Sequence, residues 1–181
     1  MDEGSKLFDF ANRKDRRLHQ LDNSQGLYAL FLKSGSRFPD FELPSECLIY
    51  IGKADSGGGL KKRCHFNGRT RKHSPRKSLA SVLEAHLDLK IRPFLNSKDQ
   101  SYDTWGLESE SEDNLKDWMR RNINLSVAIC RDANTLEKPL IKRMAPVLNL
   151  TDCVQTQIHQ RIRALRGNCE ERAREMVDKS R

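Results

Sequence analysis

The sequence predicts an α/β (α+β) fold in which a small, mainly antiparallel three-stranded sheet is flanked by helices. Three short apolar runs rich in aromatic and branched residues predict the strands, at 26–32, 47–54 and 125–130. Stretches with helical periodicity surround these runs. With 181 residues the chain can enclose a hydrophobic core, and we expect one domain over 1–181.

The first elements predicted along the chain are a helix and a hairpin. Residues 6–21 carry apolar side chains among charges in a loose helical pattern. The first two apolar runs are joined by residues 34–46, which contain Gly35, Pro39 and Pro44. This composition predicts an antiparallel hairpin with an unusually long loop.

Helical and acidic segments follow the hairpin. Three glycines at 57–59 precede a helix start crowded with Lys and Arg, and a second helix is predicted over about 77–89. Residues 97–117 carry seven acids against two lysines, which indicates a surface loop in their first part. Leu115, Trp118 and Met119 then predict a short helix before the third strand.

Two helices are predicted after the third strand. The first covers about 135–144, and the second is a basic helix over about 152–178. Its basic character comes from five arginines: Arg161, Arg163, Arg166, Arg172 and Arg174.

The charge distribution indicates a polyanionic partner. Lys and Arg number 33 against 25 Asp and Glu, which gives a formal net charge of +8 and a pI of about 9.4. Residues 53–77 hold nine Lys or Arg against one acid, Asp55. Such a stripe suits a phosphate backbone, because its cations displace condensed counterions. A solvated cationic face is the alternative.

Cysteine usage and hydropathy favour a cytoplasmic protein without a membrane segment. The five cysteines are scattered and odd in number, which argues against a disulfide framework. No apolar run approaches the length of a membrane span, and the first residues are acidic where a signal peptide would be basic. The spacing of His and Cys fits no usual zinc pattern.

Several motifs together resemble the GIY-YIG nucleases. Gly26-Leu27-Tyr28 and Tyr50-Ile51-Gly52 are similar to the paired signature of that family. Lys53-Ala54 and the run 60–63, which ends at Arg63, resemble the nuclease half of the bacterial excision-repair incision subunit. Leu136-Glu137 and Asn149, within Pro146-Val147-Leu148-Asn149, resemble the family's Glu helix and its closing Pro-x-x-Asn segment.

The chain also departs from the compact core of that family. The interval between the tyrosine motifs is longer, and residues of about 68–124 form an insertion ahead of the third strand. These elaborations resemble those of the restriction endonucleases in the family. Many members place a His one helical turn after the Arg, where this chain has Asn67, so His65 and His73 are the candidate proton shuttles.

The resemblance implies a DNA endonuclease that uses Mg²⁺, with Mn²⁺ as a substitute. The implied catalytic residues are Tyr28, Tyr50, Lys53, Arg63, Glu137 and Asn149, with Glu137 as the metal ligand. The candidate residues for nucleic-acid binding are Gly52, Lys61, Lys62, Arg69, Arg71, Lys72 and Arg76. One site cuts one strand, so double-strand cleavage would suit a homodimer. A structure-specific repair or recombination nuclease and a non-catalytic nucleic-acid-binding module are the alternatives.

The local chemistry of the tyrosines is consistent with this role. Strand side chains alternate between faces, so Tyr28 and Tyr50 can share a face in a paired hairpin. A phenol has a pKa of about 10, which is too high for a base at neutral pH unless a neighbouring cation such as Lys53 assists. A buried, hydrogen-bonded Tyr is the commoner role in a strand.

The other motif residues have structural alternatives as well. Gly52 lets a backbone or a phosphate approach closely, or marks a bulge. Arg63 suits bidentate binding of a phosphate, or is one more solvated charge. Glu137 is spaced from Asn134 like a capping box, and a single such carboxylate suffices for Mg²⁺. Asn149 can orient Glu137 or a phosphate, or end a turn.

Overall fold

The computed structural model of the chain describes residues 24–44, 47–54, 59–62 and 66–180, without the side chains of residues 61 and 62. Its contacts group the chain into two compact units. The first unit takes the described residues of Met1–Arg37, Glu42–His65 and Asn122–Gln155. The second takes those of Phe38–Phe41, Phe66–Arg121 and Thr156–Arg181. The helix predicted over 6–21 lies outside the described residues.

The first unit is built on a three-stranded antiparallel sheet. Its strands are β1 (Gly26–Leu32), β2 (Leu48–Ala54) and, later in the chain, β5 (Ile123–Ile129). The sheet order is β2-β1-β5, and both pairings are antiparallel. The predicted fold class is therefore confirmed, as are the hairpin with its long loop and the third strand, which begins two residues earlier than predicted.

One face of this sheet is covered by a helix. The described helices of the unit are the single turn α1 (Gly59–Lys62) and α4 (Ala133–Met144). Leu27 and Ala29 of β1 pack with Ala133 of α4, and Leu136 and Leu140 join this cluster. These β1 positions are two residues apart and therefore point to the same face, which fixes the side of the sheet that α4 covers.

The second unit contains the long insertion and the final helix. Its helices are α2 (Ser74–Leu87), α3 (Ser109–Asn122) and α5 (Gln157–Asp178). Its strands are β3 (Ile91–Leu95) and β4 (Tyr102–Leu107), which pair as an antiparallel hairpin. Its core includes Leu79, Leu83, Trp105, Leu115 and Ile162, all buried.

Several sequence-based boundaries in this unit were wrong. The stretch expected to begin as a surface loop forms β4 and most of α3. Helix α2 begins three residues earlier than predicted, because Pro75 is accepted in its first turn. Helix α5 begins at Gln157, since Thr156 and His159 form a capping box there.

A buried ion pair ties the insertion together. Arg76 has no exposed side-chain surface, and its Nη2 donates to Oε2 of Glu112 at 2.7 Å. Thr70 donates to the same carboxylate through its backbone N and its hydroxyl, at 2.7 and 2.9 Å. Glu112 therefore joins the start of α2 to α3. Within the described ranges, no helix has the length and apolar character needed to cross a bilayer.

Candidate active site

Tyr28 and Tyr50 lie next to each other on one face of the sheet. The register pairs Tyr28 with Gly52 and Leu30 with Tyr50, so both phenols project from the same face. Their ring centroids are 6.0 Å apart and their planes differ by 26°, a stacked arrangement. The expectation that the two tyrosines share a face is confirmed.

Gly52 makes room for one of these rings. A Cβ atom at Gly52 would lie 2.3 Å from both Cζ and the hydroxyl oxygen of Tyr28. Any other residue at this position would displace the ring, because such a distance is far below van der Waals contact. The Tyr28 ring therefore occupies the side of Gly52 on which a Cβ would project, and the approach of a phosphate to Gly52 stays a prediction.

The two tyrosines differ in exposure. Tyr28 is 4% exposed, whereas Tyr50 is half-buried. A group that exchanges a proton with water needs contact with solvent or substrate. Of the two phenols, Tyr50 is therefore the more accessible to a reacting group.

Lys53 and Glu137 form an ion pair. Nζ of Lys53 lies 3.3 Å from Oε2 of Glu137, and the two side chains are 32% and 17% exposed. Lys53 is opposite Leu27 in the register, and Leu27 belongs to the face that α4 covers. The pair therefore starts from the face opposite the tyrosines. The observed ion-pair partner of Lys53 is Glu137, and the assistance of Lys53 to a tyrosine stays a prediction.

Glu137 does not act as a helix cap. The N-cap of α4 is Asp132, and both the backbone N and the hydroxyl of Thr135 donate to its carbonyl oxygen. Asn134 is thus already inside the helix, so the capping box expected between Asn134 and Glu137 is absent. Pro139 lies within the helix rather than in its first turn. The observed partner of Glu137 is Lys53.

Asn149 holds the backbone of β2. Its Oδ1 accepts from the backbone N of Ile51 at 2.9 Å, and its Nδ2 donates to the carbonyl oxygen of Ile51 at 2.9 Å. The backbone N of Leu148 donates to the carbonyl oxygen of Ile49, and the N of Asn149 closes a turn onto Pro146. Segment 148–149 thus covers the outer edge of β2. Asn149 fixes the residue between Tyr50 and Gly52, a positioning role that differs from the expected contact with Glu137 or a phosphate.

The segment that leads to Arg63 is anchored in the first unit. Leu60 is 3% exposed, and its backbone N donates to the carbonyl oxygen of Ser24 at 3.0 Å. Gly26 permits this packing, since a Cβ there would lie 3.0 Å from Cδ1 of Leu60 and 2.2 Å from the carbonyl oxygen of Ala128. Arg63 and His65 themselves lie outside the described residues, as do the side chains of Lys61 and Lys62.

The basic residues after the gap belong to the second unit. Arg76 is buried against Glu112, so its predicted contact with nucleic acid is wrong. Arg71 pairs with Asp103 at 2.8 Å and stacks over the Phe94 ring at 4.6 Å, whereas Arg69 and Lys72 are exposed. His73 precedes the first residue of α2 as its N-cap. Its predicted role as a proton shuttle remains a prediction.

Glu137 is the carboxylate that the resemblance implied as the metal ligand, and it lies in the described first unit. Groups of three or more His, Cys, Asp or Glu that could bind a metal are not found among the described residues. Mg²⁺ in proteins keeps several waters and takes one or two carboxylates, so the Glu137 oxygens suit it chemically. Lys53 already supplies a cation beside this carboxylate, so an ion would share Glu137 with Lys53 or displace it.

Comparison with known proteins identifies the family of this fold. No curated protein and no solved structure gave a significant match. Residues 26–168 match the GIY-YIG catalytic domain, a stretch that includes both tyrosines, Glu137 and Asn149. The chain therefore belongs to the GIY-YIG family, and it is a nuclease of the GIY-YIG type.

Proposed function

We propose that this nuclease is a metal-dependent DNA endonuclease that hydrolyses one phosphodiester strand at each visit. The observation that carries the proposal is that the first unit holds two pairs of reactive side chains. One is the stacked tyrosine pair on the β1–β2 hairpin, and the other is the ion pair between Lys53 of β2 and Glu137 of α4. These are the groups needed to activate water and to stabilise charge on a leaving oxygen.

The reacting phosphate would lie at the β2 edge of the sheet. The tyrosines and the ion pair start from opposite faces, and β2 is the outer strand next to β1 in the described sheet. A group at this edge can reach both faces, which it could not do at a central strand. Segment 148–149 covers the edge at Ile49 and Ile51, so we assign the phosphate to the end of β2 near Lys53.

Each residue would have one task in the reaction. Tyr50, the more accessible phenol, would take the proton of the attacking water, with Tyr28 as the alternative base. Arg63 would steady the charge that develops at phosphorus. Lys53 would act through Glu137, which it contacts.

A divalent cation would be held by Glu137. When bound, Mg²⁺ or Mn²⁺ would supply positive charge at the leaving oxygen. Glu137 would orient and retain the ion, and its mostly buried carboxylate is already held in place by Lys53.

We propose that this endonuclease is a restriction enzyme. The insertion and α5 build a complete compact unit in addition to the catalytic one. A repair nuclease that recognises DNA shape is the second candidate, and a homodimer would allow both strands to be cut.

The test is cleavage of supercoiled plasmid in the presence of Mg²⁺ or Mn²⁺. The wild-type chain is expected to nick or linearise the plasmid, and discrete fragments would identify a restriction enzyme. Glu137→Gln should lower cleavage by about 100-fold or more, since it removes the charge that retains the ion. DNA binding, measured by mobility shift, should persist.

The control is Glu110→Gln, which removes a carboxylate from an exposed position of α3. This variant should cleave like the wild type. A wild-type chain that binds DNA but cuts no form of it with either metal would favour a non-catalytic binding module and overturn the proposal.

A further inference from the structure

Three exposed cations of the second unit have no acidic partner among the described residues. Arg69, Lys72 and Arg92 are exposed, and no carboxylate of the described ranges lies within ion-pair distance of them. Arg172 and Arg174, by contrast, are each paired with a glutamate of the same unit. Exposed cations without counter-charges attract an anionic partner.

The turn Thr70–Lys72 lies against the β3–β4 hairpin beside Arg92. The register of the hairpin places Arg92 opposite Gly106. A Cβ atom at Gly106 would lie 3.2 Å from the backbone N of Arg71 and 2.8 Å from Cε2 of Phe94. The glycine therefore lets the turn and the Phe94 ring approach the hairpin closely at this position.

Two guanidinium groups share the Phe94 ring at this place. Cζ of Arg71 lies 4.6 Å from the ring centroid, and Cζ of Arg92 lies 4.7 Å from it. The ring thus holds two like charges near each other despite their mutual repulsion. Arg69 and Lys72 are within two residues of Arg71 in the chain and add two further cations. We call these four cations and Phe94 the basic hairpin surface.

Arg71 is only partly satisfied by its acidic partner. Its Nη2 donates to Oδ2 of Asp103 at 2.8 Å, whereas its Nε is buried and has no acceptor in the described part of the chain. A buried donor without an acceptor costs free energy. A phosphate can bind a guanidinium through two donors at once, which the single contact with Asp103 does not achieve.

We propose that the basic hairpin surface binds the phosphate backbone of duplex DNA. Its charge complements a polyanion, and guanidinium groups match the geometry of phosphate oxygens. The Phe94 ring is engaged by two guanidinium groups, so it positions cations rather than offering an open platform for an unpaired base. The inference rests on the proposed DNA endonuclease function and adds a surface of the second unit that retains the substrate.

The first test removes one positive charge, either on the surface or away from it. Arg92→Gln changes the surface, and Lys98→Gln, at an exposed position between β3 and β4, is the matched control. Both are made in the Glu137→Gln chain. Affinity for a 20-base-pair duplex is measured by fluorescence anisotropy, without divalent metal, over a range of salt concentrations.

Arg92→Gln should weaken duplex binding about tenfold at about 0.1 M salt and reduce the slope of log affinity against log salt by about 1. Lys98→Gln should change neither quantity. Because both positions are exposed, the two variants should melt at the same temperature as their parent. Equal losses of affinity in the two variants would show that only the total charge matters and would overturn the assigned surface.

The second test should strengthen binding. Asp103→Asn removes the carboxylate that pairs with Arg71, so both its repulsion of phosphate and its competing contact disappear. Affinity for the same duplex should rise by about threefold or more. Asp178→Asn removes an exposed carboxylate at the end of α5 and should leave affinity unchanged. A gain of affinity is not explained by a loss of fold, and unchanged affinity in Asp103→Asn would overturn the role of Arg71.

A third comparison separates contacts with the backbone from contacts with the bases. The loss caused by Arg92→Gln should be the same for a duplex of A·T pairs and a duplex of G·C pairs, because phosphates carry no sequence information. A loss confined to one of them would overturn the backbone assignment. Binding to an RNA duplex that depends on Arg92 and is stronger than binding to DNA would overturn the assignment to DNA.

The outcomes distinguish this inference from the proposed function. Plasmid cleavage by the wild type, with unchanged duplex affinity in both Arg92→Gln and Asp103→Asn, overturns the inference and leaves the endonuclease intact. Duplex binding that changes as expected in these variants, without any cleavage, supports the surface and overturns the endonuclease. A Glu137→Gln chain that binds no duplex overturns the inference as well.

Discussion

Asn149 shows how a single side chain can support a site without entering it. Its side-chain amide bonds to β2 as a neighbouring strand would: Oδ1 accepts from the backbone N of Ile51, and Nδ2 donates to the carbonyl oxygen of Ile51. These two hydrogen bonds between Asn149 and Ile51 form a clamp. The residues on either side of Ile51 are Tyr50 and Gly52, so the clamp fixes the part of β2 that carries the more accessible phenol. Asn149 is 6% exposed, and solvent therefore offers little replacement for these bonds.

We expect Asn149→Asp to lower the free energy of unfolding by about 1–3 kcal/mol. The change removes the Nδ2 donor and leaves the carbonyl oxygen of Ile51 facing a carboxylate oxygen, a buried acceptor without its partner. Urea denaturation measures the effect. Asn134→Asp, the same change at an exposed position of α4, should stay within about 0.5 kcal/mol of the wild type. Equal stability of the two variants would contradict the assigned role of Asn149.

The residues of the site were predictable to different degrees. The shared face of Tyr28 and Tyr50 followed from the period of two in each strand, because antiparallel pairing aligns the alternate faces of the two strands. The contact of Lys53 with Glu137 did not follow, since it depends on how α4 docks on the sheet. The Asn149 clamp joins residues 98 apart in sequence, and no local pattern encodes such a contact.

Among the elements, the sequence identified the strands of the first unit and missed the hairpin of the second. The runs of β1 and β2 are apolar and bounded by turn-forming residues, which is the clearest strand signal. Strand β3 contains Pro93, and proline argues against a strand. Strand β4 begins inside an acid-rich stretch, and its burial comes from tertiary packing of residues such as Trp105. The acid-rich composition of this segment reflects its exposed side chains and did not predict the strand that its backbone forms.

Helix α3 depends on a carboxylate that faces a fully buried arginine. Glu112→Ala should destabilise the chain by about 3–5 kcal/mol, because it leaves Arg76 buried without its counter-charge and Thr70 without its acceptor. Thermal or urea unfolding monitored by circular dichroism measures the loss. Glu110→Ala removes an exposed carboxylate from the same helix and should change stability by less than about 0.5 kcal/mol. A small effect at Glu112 would mean that Arg76 finds another partner.

Helix α5 should weaken in alkaline solution because of its buried thiol. Burial, reinforced by the nearby Glu84 carboxylate, raises the pKa of Cys169 from 9.0 to about 12. The folded chain therefore keeps a proton that the unfolded chain releases, so this contribution is complete below pH 9.0 and is lost as pH rises toward about 12.

Denaturant unfolding at several pH values between about 8 and 11 tests this effect. The free energy of unfolding should fall with rising pH more steeply in the wild type than in Cys169→Ala, by up to about 1.4 kcal/mol per pH unit. The comparison uses the slopes, so the cost of the substitution itself does not enter. Parallel profiles would show that the thiol ionises as easily in the folded chain as in the unfolded one.

Across the whole molecule, the order of segments in the chain differs from their grouping in space. The second unit takes Phe38–Phe41, a central stretch and the C-terminal helix, and the first unit takes segments that come before and after that central stretch in the sequence. Buried residues of α5, among them Ile162 and Ala173, complete the core of the second unit. The insertion and the C-terminal helix are therefore parts of one structure, although the sequence suggested two separate additions.

A chain that ends at Gln155 should lose the fold of the second unit. Removal of α5 exposes the apolar surfaces of α2 and of the β3–β4 hairpin, which that helix contacts. Limited proteolysis should then cleave within 66–121, and the far-ultraviolet circular dichroism should fall by more than the helix itself contributes. A chain that ends at Asp178 keeps all of α5 and should resist the protease like the full chain. Protection of 66–121 in the shorter chain would contradict the interdependence.

The long sequence separation of Ile51 and Asn149 also has a consequence for folding during translation, because their hydrogen bonds can form only after Asn149 has been synthesised. The two tyrosines leave the exit tunnel before the insertion, whereas Glu137 and Asn149 emerge after it, and Asn149 follows Ile51 by 98 residues. While the insertion is being synthesised, a nascent chain therefore displays its phenols without the carboxylate or the strand-edge support that the finished site contains. Contacts between residues so far apart in sequence tend to form slowly, so we expect the first unit to complete its fold only after the bonds between Ile51 and Asn149 have formed.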